Sequence, residues 1–260
     1  MKTILVIDPV VMKVWDAQDQ VEYLEDVDRL KGPGTVVKTV SLARGPASIE
    51  TFYDVAFAVP EILHAIEDQG GGCDAVMINC FVDPGVCAVR QIAGVPVVGA
   101  AEASMAPALL LGHRFAVVST GGSAAAASWT ELQARAMGVE SRLAAAVGID
   151  IPVLGLGADR EETARHLIEA ANELVVRKGA DVIVLGCTGM ALVADAVRAA
   201  LPVPLIEPTA AAFKMAEMLA ELGLHHSQTG LYRHPDKTKF VQEAPSTHDK
   251  SDESPDLTPP

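Results

Sequence analysis

Short apolar runs alternate along the chain with longer stretches in which apolar and polar residues mix. The runs are Thr3 to Ile7, Val36 to Leu42, Gly72 to Cys80, Val95 to Gly99, Arg114 to Ser119, Ile149 to Leu156, Asp181 to Cys187 and Val203 to Ile206. They have strand length and end at Gly, Pro or polar residues. This pattern is typical of strands that are buried on both faces of a parallel sheet.

The stretches between the runs predict helices. The clearest is Glu161 to Lys178, where apolar residues recur at helical spacing. Further helices are expected at Asp83 to Gln91, with Asp83 as N-cap, and within 46–64, 104–111, 124–137, 191–201 and 209–222. Strands that alternate with helices in this way predict an α/β protein with helices on both sides of mostly parallel sheets.

The two halves of the chain resemble each other. Ile4 to Asp8 is similar to Phe115 to Thr120, and Val95 to Ser104 is similar to Val203 to Ala212, at a nearly constant offset of about 110 residues. The offset indicates an internal duplication and therefore two pseudo-symmetric lobes with a cleft between them. We expect a first lobe at 1–100, completed by the helix at 209–222, and a second lobe at 101–208.

The C-terminal part of the chain is less regular. The stretch 223–241 carries no clear pattern and stays unassigned. Residues 242–260 are rich in Pro, Ser and Asp and nearly free of apolar residues. Such a segment cannot offset the entropy lost on ordering, so we expect a disordered acidic tail.

Composition narrows the possible partners. Half of the 260 residues are apolar, enough for a sizeable core, and the net charge is −14, which argues against a nucleic-acid surface. No apolar stretch is long enough to span a membrane, and the first ten residues lack a secretory signal pattern. We expect a soluble, cytoplasmic protein with a small-molecule substrate. The sequence does not determine the oligomeric state, and it is compatible with a homo-oligomer.

Two of the four cysteines are candidates for chemistry. Cys80 and Cys187 end matching apolar runs, and ligands of α/β sheets collect beyond the carboxyl ends of the strands. Cys73 and Cys87 are expected to pack in the core. The four positions contain no Cys-x-x-Cys pair and have no nearby His pair, so no metal site is predicted.

The setting of the two thiols suggests their task. Each is expected to precede a helix, whose N-terminus would lower the pKa of the thiol towards neutrality. A nucleophilic cysteine normally needs an adjacent base, usually His, and no His lies near a strand end. Two facing thiols without His fit a reaction in which one removes a proton from carbon and the other supplies a proton to the opposite face.

Three segments of the chain resemble a known family. Asn79-Cys80-Phe81-Val82-Asp83-Pro84-Gly85, Gly186-Cys187-Thr188-Gly189-Met190 and Gly45-Pro46-Ala47-Ser48-Ile49-Glu50 are similar to the aspartate/glutamate/hydantoin racemase superfamily, most closely to its hydantoin and allantoin racemase branch. The resemblance covers about residues 1–222 and implies a cofactor-independent racemase with two α/β lobes. It implies catalytic roles for Cys80 and Cys187 and substrate-contacting roles for Asp8, Asn79, Phe81, Ser119, Thr120, Thr188 and Gly189.

One position departs from the family pattern. Where the family usually has Asn-Pro-Asn after the first strand, this chain has Asp8-Pro9-Val10. A carboxylate there would disfavour an anionic substrate carboxylate and could prefer a ring N–H donor. Asp8 is equally compatible with a turn residue that caps the bend before Pro9.

These observations predict a racemase or epimerase that inverts a carbon next to a carbonyl, in a cyclic ureide such as a 5-substituted hydantoin or allantoin. Backbone amides after the cysteines would then stabilise the enolate oxygen. An aspartate- or glutamate-type racemase, or a decarboxylase or isomerase on the same scaffold, is the alternative within the superfamily. A two-lobe protein that only binds a small metabolite is the non-enzymatic alternative.

Overall fold

The computed structural model describes residues 1–15 and 17–239. The strands are β1 (Lys2–Asp8), β2 (Thr35–Ser41), β3 (Ala75–Ile78), β4 (Val97–Gly99), β5 (Phe115–Ser119), β6 (Leu143–Gly148), β7 (Val182–Leu185) and β8 (Leu205–Ile206). The helices are α1 (Ala17–Arg29), α2 (Phe52–Gln69), α3 (Val86–Ile92), α4 (Ala100–Leu111), α5 (Ser123–Ala136), α6 (Arg160–Lys178), α7 (Ala194–Ala200) and α8 (Pro208–Glu221). The predicted acidic tail at 242–260 lies outside the described residues.

The strands form two parallel four-stranded sheets with the same topology. Their orders are β2-β1-β3-β4 and β6-β5-β7-β8, so each strand of the first sheet has a counterpart in the second. The central pairs correspond as well, with Ile4 beside Ala75 in one sheet and Phe115 beside Val182 in the other. The predicted α/β class with two pseudo-symmetric lobes is therefore confirmed.

Two helices interlock the sheets. Helix α8 follows the last strand of the second sheet but buries Ala212 and Phe213 against the first sheet. Helix α4 follows the first sheet and buries Ala101 and Met105 against the second. Full burial of a side chain such as Phe213 contributes about 1.5–3 kcal/mol, so each lobe is stabilised by a helix from the other half. The lobe limits at 1–100 and 101–208 stay a prediction.

The sixth strand lies earlier in the chain than the sequence pattern indicated. The predicted strand Ile149 to Leu156 is wrong, because that segment forms a loop and a 3-10 helix at Val153–Gly155. Asp150 has a φ of 58°, which ends the extended backbone, and Pro152 offers no N–H to a ladder. The strand is formed instead by the Ala-rich segment Leu143–Gly148, whose residues have weaker strand propensity.

Helix α1 has no counterpart among the predicted elements. Val21 and Leu24 are exposed and the segment is acidic, so its apolar content is low. One face packs on the first sheet through Tyr23, Val27 and Leu30. The i, i+4, i+7 spacing of these three residues was the available signal.

The stretch after α8 docks on the first lobe. The main-chain N–H of Val97 donates to Nε2 of His226 over 2.8 Å. Arg90 reaches the hydroxyl of Tyr232 over 3.3 Å. Residues 223–239, unassigned from the sequence, thus cover strand β4 and helix α3. In the described part of the chain, every helix is too short or too polar to cross a membrane.

Candidate active site

A cleft of about 960 Å³ lies at the carboxyl ends of the strands of both sheets. Its lining includes the last residue of β1 and the residues that directly follow β3, β5, β7 and β8. All the site residues nominated from the sequence line this cleft, namely Asp8, Asn79, Cys80, Phe81, Ser119, Thr120, Cys187, Thr188 and Gly189. The two halves of the chain therefore contribute to one cavity, as expected where parallel strands end.

Cys80 lies in a turn after β3 and is half-buried in the cleft wall. Its carbonyl accepts a hydrogen bond from the N–H of Asp83 over 3.0 Å. Helix α3 begins only at Val86, and its N-cap is Gly85 with a φ of 72°. The helix after Cys80, expected to start at Pro84 with Asp83 as its cap, thus begins two residues later, and its N-terminus lies farther from Cys80 than predicted.

Asp83 caps a different helix from the one predicted. Its carboxylate accepts hydrogen bonds from the N–H groups of Ala101 and Glu102, at 2.9 and 3.0 Å, and so caps α4. A side chain at Gly99 would meet this carboxylate at 2.4 Å, so glycine is required there. The Cys80 turn is thereby anchored to the helix that covers the second sheet.

Cys187 is the N-cap of the 3-10 helix Thr188–Val193, and it is 9% exposed. The predicted helix 191–201 is thus a 3-10 helix followed by α7. A Cβ atom at Gly186 would stand 2.6 Å from Cβ of Ser119, so only glycine allows this approach. The hydroxyl of Ser119 donates to the carbonyl of Gly186 over 2.9 Å and fixes the turn that carries the thiol.

A hydrogen bond joins the two cysteine turns. Oγ1 of Thr188 lies 3.4 Å from the carbonyl oxygen of Asn79, to which it donates. Thr188 follows Cys187, and Asn79 precedes Cys80. The two thiols therefore belong to turns that touch each other across the cleft.

Both thiols have raised rather than lowered pKa values. Burial raises the pKa of Cys80 to about 12, and the N–H of Val82 only partly offsets it. Burial raises the pKa of Cys187 to about 11, against the effect of the N–H groups of Gly189 and Met190. The expected depression by a helix N-terminus is wrong, because desolvation of the thiolate outweighs the few amides directed at it.

Asp8 is the centre of a buried polar network at the end of β1. Its Oδ1 accepts hydrogen bonds from the hydroxyl of Tyr23 and from Nδ2 of Asn79, the latter over 3.0 Å. Oδ1 of Asn79 in turn accepts from Oγ1 of Thr209 over 3.2 Å. Burial raises the pKa of Asp8 to about 7, although both hydrogen bonds favour the charged form. Within the described chain, Oδ2 of Asp8 has no hydrogen-bond partner.

Two residues of this polar network were not nominated from the sequence. Tyr23 lies on the unpredicted helix α1, and Thr209 lies in the first turn of α8. Glu207, the residue after β8, lines the cleft as the N-cap of α8. It accepts from the N–H groups of Thr209 and Ala210, each over 2.7 Å, and burial raises its pKa.

Phe81 has a packing role that the sequence did not reveal. Its side chain is 5% exposed and belongs to the core of the second lobe, with Met105 and Phe115. Its carbonyl accepts a hydrogen bond from the side-chain amide of Gln133. The residue after Cys80 thus inserts into the opposite lobe.

The other cysteines differ from each other. Cys73 is buried and donates to the carbonyl of Gly70, as a packing residue would. Cys87 is exposed on α3, so the expectation that it packs in the core is wrong.

Among residues 1–15 and 17–239, no three His, Cys, Asp or Glu side chains are arranged to hold a metal ion. The described lining of the cleft includes no histidine.

Comparison with known proteins agrees with this architecture. Residues 22–216 match the family model described as Asp/Glu/Hydantoin racemase. A hydantoin racemase from Rhizobium meliloti is 35% identical over 213 residues, which is 82% of this chain and 88% of that protein.

Two solved structures are similar over nearly their whole length. Allantoin racemase from Klebsiella pneumoniae has a TM-score of 0.84 at 32% identity, covering 94% of this chain and 97% of that one. Allantoin racemase from Pseudomonas fluorescens has a TM-score of 0.85 at 26% identity, covering 92% and 100%. The chain belongs to the Asp/Glu/Hydantoin racemase family and is an enzyme of the isomerase class.

Proposed function

We propose that the protein racemises C5 of a hydantoin-type cyclic ureide, with Cys80 and Cys187 as the two bases. One observation carries the proposal: the two thiols follow equivalent strands and line one cleft. The similarity to a hydantoin racemase and to two allantoin racemases supports the choice of ring.

The reaction conserves atoms and charge. One cysteine, as thiolate, takes the proton from C5, and the electron pair of the C–H bond is delocalised onto the adjacent ring carbonyl. The other cysteine, as thiol, delivers its proton to the opposite face of C5. The negative charge has then moved from one sulfur to the other, and the reverse reaction starts from that state. Because the ring itself stabilises the carbanion, the scheme assigns no step to a cofactor.

The charges of the cleft favour a neutral substrate. Its described lining contains the acids Asp8, Asp26, Glu50, Asp195 and Glu207 and the bases Arg29 and Arg198. Arg29 pairs with Glu25 and Asp26, and Arg198 pairs with Asp195. Both arginines thus have carboxylate partners on their own helices, and a substrate carboxylate would meet an acidic surface. This argues for a ureide ring over aspartate or glutamate.

Asp8 is the group proposed to recognise the ring. Its Oδ2 is buried and lacks a partner in the described chain, and a buried acceptor without a donor costs about 1–3 kcal/mol. A ring N–H of the substrate would supply that donor. The Asn of the family pattern could offer either an oxygen or an N–H, whereas an ionised Asp8 can only accept.

A racemisation screen tests the proposal. Purified protein, dialysed against a chelator, is incubated with single enantiomers of 5-methylhydantoin, 5-benzylhydantoin, allantoin, aspartate and glutamate, and optical rotation is followed. Loss of rotation with a ureide and none with the amino acids is expected. Turnover of the amino acids alone would establish the alternative racemase class. Absence of turnover with every compound, in protein shown to be folded by circular dichroism, would overturn the proposal.

A further inference from the structure

The turn between β3 and α3 carries Cys80 and, three residues later, Asp83. Among the described residues of this turn, the lining of the cleft ends at Val82. We propose that Asp83 is a positioning residue for Cys80, because it holds the turn against helix α4 and thereby fixes the thiol relative to the substrate carbon. This inference rests on the proposed function, in which Cys80 is one of the two bases, and adds to it a residue that does not touch the substrate.

The main chain of the turn ties Cys80 to Asp83. The N–H of Asp83 donates to the carbonyl oxygen of Cys80 over 3.0 Å. The N–H of Val82, the residue before Asp83, donates to the sulfur of Cys80. A shift of Asp83 would therefore displace a donor to the carbonyl of Cys80 and a donor to its sulfur.

The first turn of α4 is the anchor for Asp83. Oδ1 of Asp83 accepts from the N–H of Ala101 over 2.9 Å, and Oδ2 accepts from the N–H of Glu102 over 3.0 Å. These two donors belong to the N–H groups that a helix leaves without an intrahelical acceptor at its start. Ala101 and Met105 of the same helix are fully buried in the core around the second sheet. A firmly packed helix thus defines where Asp83 lies.

The backbone of the turn explains why the anchor is an aspartate. Asp83 has a φ of 50° and Gly85 a φ of 72°. This left-handed region favours glycine, and Asp and Asn tolerate it better than other residues with a side chain. A glycine at position 83 would satisfy the backbone but would leave the two donors of α4 without a carboxylate. The side chain is therefore present for its hydrogen bonds.

A second contact joins the helices on either side of the turn. The guanidinium group of Arg90, on α3, donates to the carboxylate of Glu102, on α4. Oε1 of Glu102 also accepts from the N–H of Gly99 over 3.0 Å. Arg90 further donates to the carbonyl oxygen of Val97 over 3.1 Å. The end of the turn at α3 is thereby held to the same helix start as Asp83.

Deuterium isotope effects with Asp83→Asn test the inference. Asparagine has the size of aspartate and tolerates the left-handed backbone, but only one of its two terminal atoms accepts a hydrogen bond, so one anchoring bond is lost. Rates are measured with the separate enantiomers of 5-methylhydantoin and of allantoin, carrying protium or deuterium at C5. kcat/KM should fall about 10–100-fold, the effect of a small misplacement of a reacting group.

The isotope effect identifies the thiol that is misplaced. The two enantiomers have equal free energy, so kcat/KM falls equally for both. For one enantiomer Cys80 removes the C5 proton, and slowing that step should raise the isotope effect. For the other, Cys80 delivers a proton after the C–H bond is broken, so a slower delivery should lower the isotope effect. A general loss of folded protein would lower both rates and leave both isotope effects unchanged.

Asp181→Asn is the matched control. Oδ2 of Asp181 accepts from the N–H groups of His113 and Arg114, each over 2.9 Å, just beyond the other end of α4. Asp181 precedes β7, whereas the cleft lies at the carboxyl ends of the strands. This variant should keep the isotope effects of the parent. If Asp83→Asn does not fold, Arg90→Lys replaces it and should change the two isotope effects in the same opposite directions, by smaller amounts.

The outcomes separate the inference from the proposed function. Isotope effects in Asp83→Asn, or in its replacement, that equal those of the parent or change in one direction for both enantiomers overturn the inference and leave the proposed function standing. A parent that turns over neither ureide, or a Cys80→Ala variant with the rates of the parent, overturns the proposed function and the inference with it.

Discussion

Cys80 and Cys187 occupy matching positions, each as the second residue after its strand, β3 or β7. These strands are neighbours of β1 and β5 in sheets of identical order. Residues related in this way meet when the carboxyl ends of two such sheets border one cleft. The proposed pair of acid–base groups on opposite sides of a substrate carbon would thus follow directly from the duplicated fold.

Removal of either thiol should abolish most of the activity. Cys80→Ala and Cys187→Ala are each expected to lower kcat at least about 100-fold, the lower end for loss of a general acid or base. Cys87→Ala, at an exposed position, and Cys73→Ala, in the core of the first lobe, are the controls. Chiral chromatography of the ureide measures the rates. An indispensable Cys73 or Cys87 alongside a tolerant Cys80 would show that the site is assigned wrongly.

Isotope incorporation should reveal two separate bases. In deuterated water the sulfur-bound proton of the donor cysteine exchanges with solvent, so the inverted product should carry deuterium at C5 from the earliest turnovers. The remaining substrate should keep mostly protium at C5. Mass spectrometry of the separated enantiomers gives both values. Substantial protium in early product would indicate a single base that returns the original proton.

The raised thiol pKa values predict slow alkylation at neutral pH. With pKa values of about 12 for Cys80 and 11 for Cys187, the thiolate is a small fraction near pH 7. Its amount rises about tenfold per pH unit, and alkylation follows the thiolate. Iodoacetamide labelling from pH 7 to 10, quantified by peptide mass spectrometry, should therefore accelerate steadily at both sites. Bound substrate should slow the labelling of Cys80 and Cys187. The labelling rate of the exposed Cys87 serves as the reference for an unprotected thiol. A labelling rate that levels off below about pH 8 would mean that the thiol pKa values are lowered rather than raised.

Asp8→Asn should stabilise the protein most at neutral and alkaline pH. The pKa of Asp8 is raised by burial from 3.8 to about 7 in the folded state. As the pH rises from about 4 to about 7, Asp8 loses its proton in the unfolded chain but keeps it in the folded protein. The free energy of unfolding of the parent therefore falls over that pH range. The variant escapes this loss, so its advantage should grow to about 4 kcal/mol by pH 7 and then stay constant.

Urea unfolding of the parent and of Asp8→Asn between pH 5 and pH 8 measures this difference. Glu25→Gln is the control, since Glu25 is an exposed carboxylate on α1. A constant difference across the range would show that Asp8 is already ionised at pH 5. If the carboxylate also receives a ring N–H, Asp8→Asn should raise KM for the ureide, while Glu25→Gln should leave it unchanged.

The docked C-terminal stretch should contribute to stability. A chain that ends at Gly223 loses His226, the acceptor for the N–H of Val97, and Tyr232, the partner of Arg90. Loss of a hydrogen bond costs about 0.5–1.5 kcal/mol, and each kcal/mol corresponds to about 2–4 °C in Tm for a chain of this size. A chain that ends at Val241 is the control and should keep its Tm, because the removed segment is poor in apolar residues. Equal Tm values for the two truncations would contradict the docking.

The sequence located every strand except β6 and singled out the two thiols. Runs such as Val182–Leu185 are β-rich, apolar and bounded by turn residues, and these are local properties that a single chain displays. The constant offset between the halves then implied the symmetry. Those two signals sufficed for the α/β class and for the cleft between equivalent strand ends.

The behaviour of the site residues depends on the three-dimensional fold. Tyr23 reaches Asp8 from a helix with few apolar residues, and Phe81 packs in the opposite lobe. The sequence of the turn after β3 did not reveal that desolvation raises the pKa of the Cys80 thiol against the effect of the Val82 N–H. Burial, desolvation and hydrogen-bond partners depend on groups far apart along the chain. A local sequence pattern carries no information on them until the fold brings those groups together.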